Sequence, residues 1–89
     1  MKFMIHSPAG IQAEMDEVDA VRTVLVDGKP LTLLPRHAPL MAEIGREPVT
    51  ASQSGFESSF HVQNGILIVT DDTVKILTEN MAGEDSSDA

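Results

Sequence analysis

The chain has 89 residues, a formal net charge of −8, and no Cys, Trp or Tyr. That length holds one domain, and a protein of this size buries only about 60–65% of the surface its unfolded chain exposes, so a thin core must rest on Val, Ile, Leu and Met. The acidic balance argues against nucleic acid, which selects Lys and Arg clusters, and against direct docking on anionic lipid; without Cys there is no disulfide framework and no thiolate metal site.

Along the chain the apolar period is two. Phe3 and Ile5 alternate with Lys2, Met4 and His6, which predicts a strand with one buried and one wet face. Ser7-Pro8-Ala9-Gly10 is a turn signal, and Ile11, Ala13 and Met15 then alternate with Gln12, Glu14 and Asp16. Val18 to Val26 is apolar in both phases, so that strand is covered on both faces or carries a bulge. Asp27-Gly28-Lys29-Pro30 is the next turn.

The run Leu33-Leu34-Pro35-Arg36-His37-Ala38-Pro39-Leu40 holds a histidine between two prolines. Pro35 and Pro39 fix their own φ and push Leu34 and Ala38 toward extended backbone, so His37 sits on a stiff support. It is either a crossover between sheets, with His37 bonded to backbone, or a fixed recognition edge.

Phe56, Ser58, Phe60 and Val62 alternate with Glu57, Ser59, His61 and Gln63. Asn64-Gly65 is the strongest hairpin signal in the chain, because both residues tolerate positive φ. Ile66 to Val69 is apolar throughout, as in a central strand. Asp71-Asp72 turns the chain into Thr73–Thr78, with Val74 and Ile76 on one face. There is no internal repeat and no amphipathic helical stretch of useful length. Many short strands at regular spacing predict an all-β sandwich of about eight to ten short, mostly antiparallel strands over residues 1–80. Residues 81–89 are small, polar and acidic, and read as a disordered tail.

Catalytic patterns are absent from the sequence. The histidines at 6, 37 and 61 follow no standard metal-ligand spacing, and His6 and His61 fall in the polar phase of their strands. Glu14, Asp16, Glu17 and Asp19 are the densest carboxylates, but no apolar pocket raises one pKa for acid–base work; such charges protect an edge strand. No nucleophile elbow and no Gly-rich phosphate loop occur. The opening Met1-Lys2-Phe3-Met4-Ile5 is neither a signal peptide nor a transit peptide, and no apolar stretch approaches the roughly 20 residues of a membrane helix. A cytoplasmic chain of bacterial origin is expected, with no membrane insertion.

Leu34-Pro35-Arg36-His37-Ala38-Pro39-Leu40 resembles the Leu-Pro-Gly-His-Ala-Pro-Leu turn of the N-terminal β-domain of F-type ATP synthase epsilon subunits. Gln63-Asn64-Gly65-Ile66-Leu67-Ile68-Val69 resembles that family's Ser-Gly-Gly-Phe-Leu-Glu-Val strand, and Val74-Lys75-Ile76-Leu77 its following Val-Thr-Val-Leu. Met1 to Ile5, with Ser7-Pro8 and Gly10, resembles the family's start. The likeness covers Met1 to about Thr78. Arg36 stands where the family has glycine, and Asp27-Gly28-Lys29-Pro30-Leu31-Thr32 replaces a Gly/Glu-rich loop.

The resemblance implies a non-catalytic rotor subunit of the central stalk, without a cofactor, that links the gamma subunit to the membrane c-ring. It would couple ion flow to ATP synthesis or hydrolysis from the cytoplasmic face of the bacterial inner membrane. Asp27, Gly28, Lys29, Pro30, Leu31 and Thr32 would face the c-ring. Leu34, Pro35, Arg36, His37, Ala38, Pro39 and Leu40, with exposed apolar side chains nearby, would face gamma. Family members continue into a two-helix C-terminal domain; this chain stops short of it, and the acidic run 84–88 favours a natural end. Inhibition and ATP sensing by that hairpin would then be absent. Two alternatives remain open: a small histidine-bearing metal-binding barrel, and an unrelated β-sandwich adaptor.

Overall fold

The computed structural model describes the backbone of residues 1–86 and the side chains of residues 1–79. Within them the chain forms eight strands and no helix: β1 Lys2–Ser7, β2 Gly10–Met15, β3 Ala20–Val24, β4 Pro30–Leu33, β5 Leu40–Ile44, β6 Val49–Gln53, β7 Phe56–Thr70 and β8 Thr73–Ser86. The all-β, mostly antiparallel sandwich expected from the alternating pattern is what forms; β1 on β8 is the parallel pair.

Strand hydrogen bonding runs β2-β1-β8-β7-β6-β3-β4, with β5 added to β7. The long β7–β8 hairpin passes through both layers. The first half of β7 pairs with β6 (Val49↔Phe60 to Gln53↔Phe56). Its second half pairs with β5 (Leu40↔Val69 to Ile44↔Gly65). One layer is therefore β2-β1-β8-β7-β5, and the other is β8-β7-β6-β3-β4. Where β5 meets the end of β3, a Leu25↔Ile44 bridge closes that side. Val26 N–H donates to the Glu43 carbonyl at 3.1 Å, and Gly45 N–H to the Val24 carbonyl at 3.2 Å.

The inward phase of both layers fuses into one core. Phe3, Ile5, Leu67, Val69, Val74 and Ile76 come from the first layer; Val21, Leu33, Val49, Ala51, Phe60 and Val62 come from the second. Each large aliphatic or aromatic side chain so buried is worth about 1.5–3 kcal/mol.

Five local expectations are corrected. Asn64-Gly65 is not a hairpin turn: Asn64, at φ 60°, lies inside β7, where the strand bends from one layer to the other. Thr78 Oγ1 shares its proton between the carbonyls of Gln63 and Asn64, both 3.1 Å away, so the bend's freed acceptors are satisfied from β8. Ile11 does not share the inward phase of Ala13. A bulge between Ile5 and His6 in the register (Ile5↔Ala13, then His6↔Ile11) turns it outward. Phe56 begins β7 at the hairpin tip, outside the overlap of the layers, and is 78% exposed. The long strand expected over Val18–Val26 is shorter, because the chain leaves the β3–β4 ladder after Val24 to form a turn.

The fifth concerns residues 81–89. The backbone of β8 continues to Ser86, paired with Ser58–Val62 of β7, instead of leaving as a tail. The first half of β7 has β6 on one side, and β8 supplies ladder partners on the other. The remainder of that stretch lies outside the described residues.

Candidate functional site

The two turns singled out in the sequence end up at opposite ends of β4. The first closes the β3–β4 hairpin. Gly28, at φ 90°, takes the conformation only glycine adopts freely. Lys29 N–H donates to Asp27 Oδ1 at 3.0 Å, and Gly28 N–H to the Leu25 carbonyl at 2.9 Å. Pro30, Leu31 and Thr32 are not loop residues but belong to β4, the outer edge strand of its layer. Pro30 suits that place because an edge strand need not donate on its open side.

In the second, His37 N–H donates to the Leu34 carbonyl at 3.2 Å, with Pro35 and Arg36 between them. Arg36 has φ 67°. Pro followed by a left-handed residue is the type II turn pattern, and the second position ordinarily belongs to glycine. Leu34 through Pro39 are all exposed. The His37 ring donates from Nδ1 to the Ala38 carbonyl at 2.7 Å, so the imidazole is tied to its own turn. The turn is also tied to the β7–β8 turn: Arg36 N–H donates to Asp72 Oδ1 at 2.7 Å. Asp72 in turn takes the Lys2 N–H on its carbonyl at 3.0 Å and has the Met1 ammonium 3.8 Å from Oδ2.

Between these ends lies a surface that sequence reasoning did not single out. On the outer face of the β2-β1-β8-β7-β5 layer the register aligns side chains in rows. One row is Met41, Ile68, Lys75, Met4 and Glu14; the next is Glu43, Ile66, Leu77, His6 and Ile11. Six of these ten are large apolar side chains. Met41 is 70% exposed, Ile11 56%, Ile66 41% and Leu77 40%. Across neighbouring strands Met41 sits beside Ile68 and Ile66 beside Leu77, with Lys75 and His6 interrupting the rows, so these apolar side chains are grouped rather than scattered. The signal was present in the run Ile66–Val69: both phases of that strand are apolar, yet only Leu67 and Val69 face the core.

The two ends of the face differ in charge. At the end near the Asp71-Asp72 turn it carries Lys2 and Lys75 with Asp71, Thr70 and Thr73, and Lys2 Nζ lies 3.2 Å from Glu14. At the other end a groove of about 630 Å³ is lined by His6, Pro8, Val26, Ile66 and Leu77, with Glu43 and Glu79 among its polar residues.

No group of three or more His, Asp or Glu side chains among the described residues could hold a metal; His6, His37 and His61 stand on separate elements. No helix is long and apolar enough to cross a membrane among the described residues.

Residues 1–83 match the family model described as ATP synthase, Delta/Epsilon chain, beta-sandwich domain. No curated protein matches the chain. Among solved structures it is similar to a chain in the central stalk/c-ring of the Tetrahymena thermophila mitochondrial ATP synthase, at 15% identity and TM-score 0.71, covering 93% of this chain and 66% of that one. It is also similar to a chain in the OSCP/F1/c-ring assembly of the Euglena gracilis mitochondrial ATP synthase, at 14% identity and TM-score 0.79, covering 91% of this chain and 51% of that one. At such identities the likeness is one of fold, and the chain spans between half and two thirds of those proteins.

Proposed function

Since the chain belongs to the ATP synthase delta/epsilon β-sandwich family, we propose that it is a non-catalytic rotor subunit of the central stalk, seated between the gamma subunit and the c-ring. The outer apolar face of the β2-β1-β8-β7-β5 layer is the observation that carries this reading. In a two-layer sandwich without helices, that face has no partner within the described residues, and exposed apolar rows are stable in use only when another protein covers them.

The gamma subunit covers this face, and the Leu34–Leu40 turn extends the contact at one end. Size requires the extension. Five strands about 4.8 Å apart and about 20 Å long make a patch near 400 Å² in projection, about half of what one partner contributes to a standard interface. The β3–β4 turn and the edge strand after it, residues 27–32, meet the c-ring at the opposite end from Arg36. The sandwich passes torque between them. Its layers share a close-packed core, and packed interiors transmit strain instead of absorbing it. The site of action is the cytoplasmic surface of a bacterial inner membrane, where the assembled ring holds the subunit. The choice of H⁺ or Na⁺ as coupling ion lies with the ring.

Co-purification with the gamma and c-ring subunits of the same organism tests the proposal. The wild-type chain is expected to form a stable complex. Met41→Glu with Ile68→Glu should abolish gamma binding while leaving the far-UV spectrum and melting transition of the isolated chain in place. Absence of a complex with the wild-type chain overturns the rotor reading. A complex indifferent to the face variants but weakened by Leu34→Ser moves gamma to the turn alone.

A further inference from the structure

The groove at the Glu43–Glu79 end differs from the rest of the face. Ile66 and Leu77 form its floor. Val26, held against β5 by its N–H bond to the Glu43 carbonyl, flanks one side, and Pro8 after β1 flanks the other. A flat apolar face offers area; a walled groove offers a seat for one side chain, which is where binding energy concentrates at interfaces. His6 lines the groove between Leu77 and Pro8, with its Nε2 closed off from solvent. Glu43 and Glu79 are the charged groove residues, both exposed, and no Lys or Arg is among the described residues that line it.

We propose that this groove receives one bulky apolar side chain from the stalk partner, carried on a segment with a Lys or Arg beside it. The proposal rests on the rotor reading above and says what chemistry its partner presents. Continuity carries the identity of the occupant: Ile66 and Leu77 belong to both the groove and the open face, so a partner covering one runs over the other. Charge opposes a second copy centred on the groove: a two-fold axis there sets each copy's Glu43 and Glu79 against the other's. A dimer through the whole face, which could bring them to Lys2 and Lys75, is the outcome that the dimer arm of the test reads. The net charge of −8 decides in the same direction for anionic lipid.

The test is calorimetric titration of the full chain with the purified gamma subunit. The variants are Glu43→Lys with Glu79→Lys, and Leu77→Glu, with Phe56→Ser at the exposed β6–β7 hairpin tip as comparison and thermal unfolding as the folding control. The double charge reversal is expected to weaken binding about tenfold or more at about 0.15 M salt, and by less at about 0.5 M, where exposed charges are screened. Leu77→Glu should remove detectable binding, and Phe56→Ser should leave it unchanged. Wild-type binding that the double reversal leaves equal or tighter overturns the groove proposal and leaves the rotor reading intact. No binding by wild type overturns both. A concentration-dependent dimer of the free chain that Leu77→Glu dissolves reassigns the groove to a second copy and also overturns the proposal.

Discussion

The Phe3 ring of β1 lies against the Phe60 ring of β7, with centroids 5.6 Å apart and planes tilted by 35°. Phe3 belongs to one layer and Phe60 to the other, so this contact joins them across the core; both rings are buried. With Phe3, Phe56 and Phe60 the only aromatic residues of the chain, it is the aromatic pair at the centre of the sandwich.

Truncating either ring should be severe. Phe3→Ala and Phe60→Ala are each expected to cost about 3–5 kcal/mol, which for a domain of this size consumes much or all of its stability. The milder pair Phe3→Leu and Phe60→Leu permits a double-mutant cycle. Urea unfolding should give a coupling energy of about 0.5–1.5 kcal/mol beyond additivity; strictly additive effects would mean that the rings pack independently.

One substitution made at two buried threonines should act with opposite signs. Thr23 and Thr78 are both 6% exposed. Thr23 Oγ1 is buried without a hydrogen-bond partner, so Thr23→Val removes an unpaid desolvation and should stabilise by about 1 kcal/mol. Thr78 Oγ1 reaches the carbonyls at the β7 bend, so Thr78→Val should cost about 1–2 kcal/mol by leaving them short of a donor. Equal shifts of the urea midpoints in the same direction would refute the distinction.

At the His37 turn, Arg36 holds a left-handed φ at a position that suits glycine. Left-handed backbone costs a residue with a side chain about 1–2 kcal/mol, and glycine returns part of that gain through unfolded-state freedom, so Arg36→Gly should stabilise by a net of about 0.5–1 kcal/mol. Asp72→Ala removes the acceptor of the Arg36 N–H. It should destabilise by about 1 kcal/mol and speed hydrogen exchange at the Arg36 amide. Asp72→Asn, which keeps an oxygen acceptor and tolerates φ 56°, should do so less. An unchanged exchange rate in Asp72→Ala would show that the turn stands without that bond.

Gly65 is required by space rather than by φ. A Cβ there would lie 3.2 Å from Ile44 Cδ1 and Cγ1 and from Val62 Cγ1. Gly65→Ala should therefore cost about 1–3 kcal/mol by overpacking, and Ile44→Val, by removing Cδ1, should restore part of it. If the two changes simply add in thermal unfolding, the bend has room that the geometry denies.

The strands around Phe3–Ile5, Ile66–Val69 and Val74–Ile76 and the turns at Asp27-Gly28 and Asp71-Asp72 were legible in the sequence, because alternation and turn chemistry act within a few residues; β4, β5 and β6 were not. So was a His37 tether to backbone, one of the two readings of the Leu34–Leu40 run. Asn64-Gly65 misled because a residue at positive φ can bend a strand as well as end it. The bend is chosen by what β7 must do on either side: pair with β6, then with β5. Ile11 misled because one extra residue in β2 reverses the phase, and a bulge is set by the partner strand.

The sequence by itself determined an all-β domain, an inward face carrying Phe3, Ile5, Val74 and Ile76, and the family resemblance, since each depends on local spacing or motif. Only the tertiary structure decided which apolar residues remain outside. Ile66 and Leu67 are equally apolar in the sequence, but two layers can bury one face of each sheet. The outward phase then brings Ile66, Leu77, Met41 and Ile11 together from four strands, a grouping set by sheet register rather than by distance along the chain.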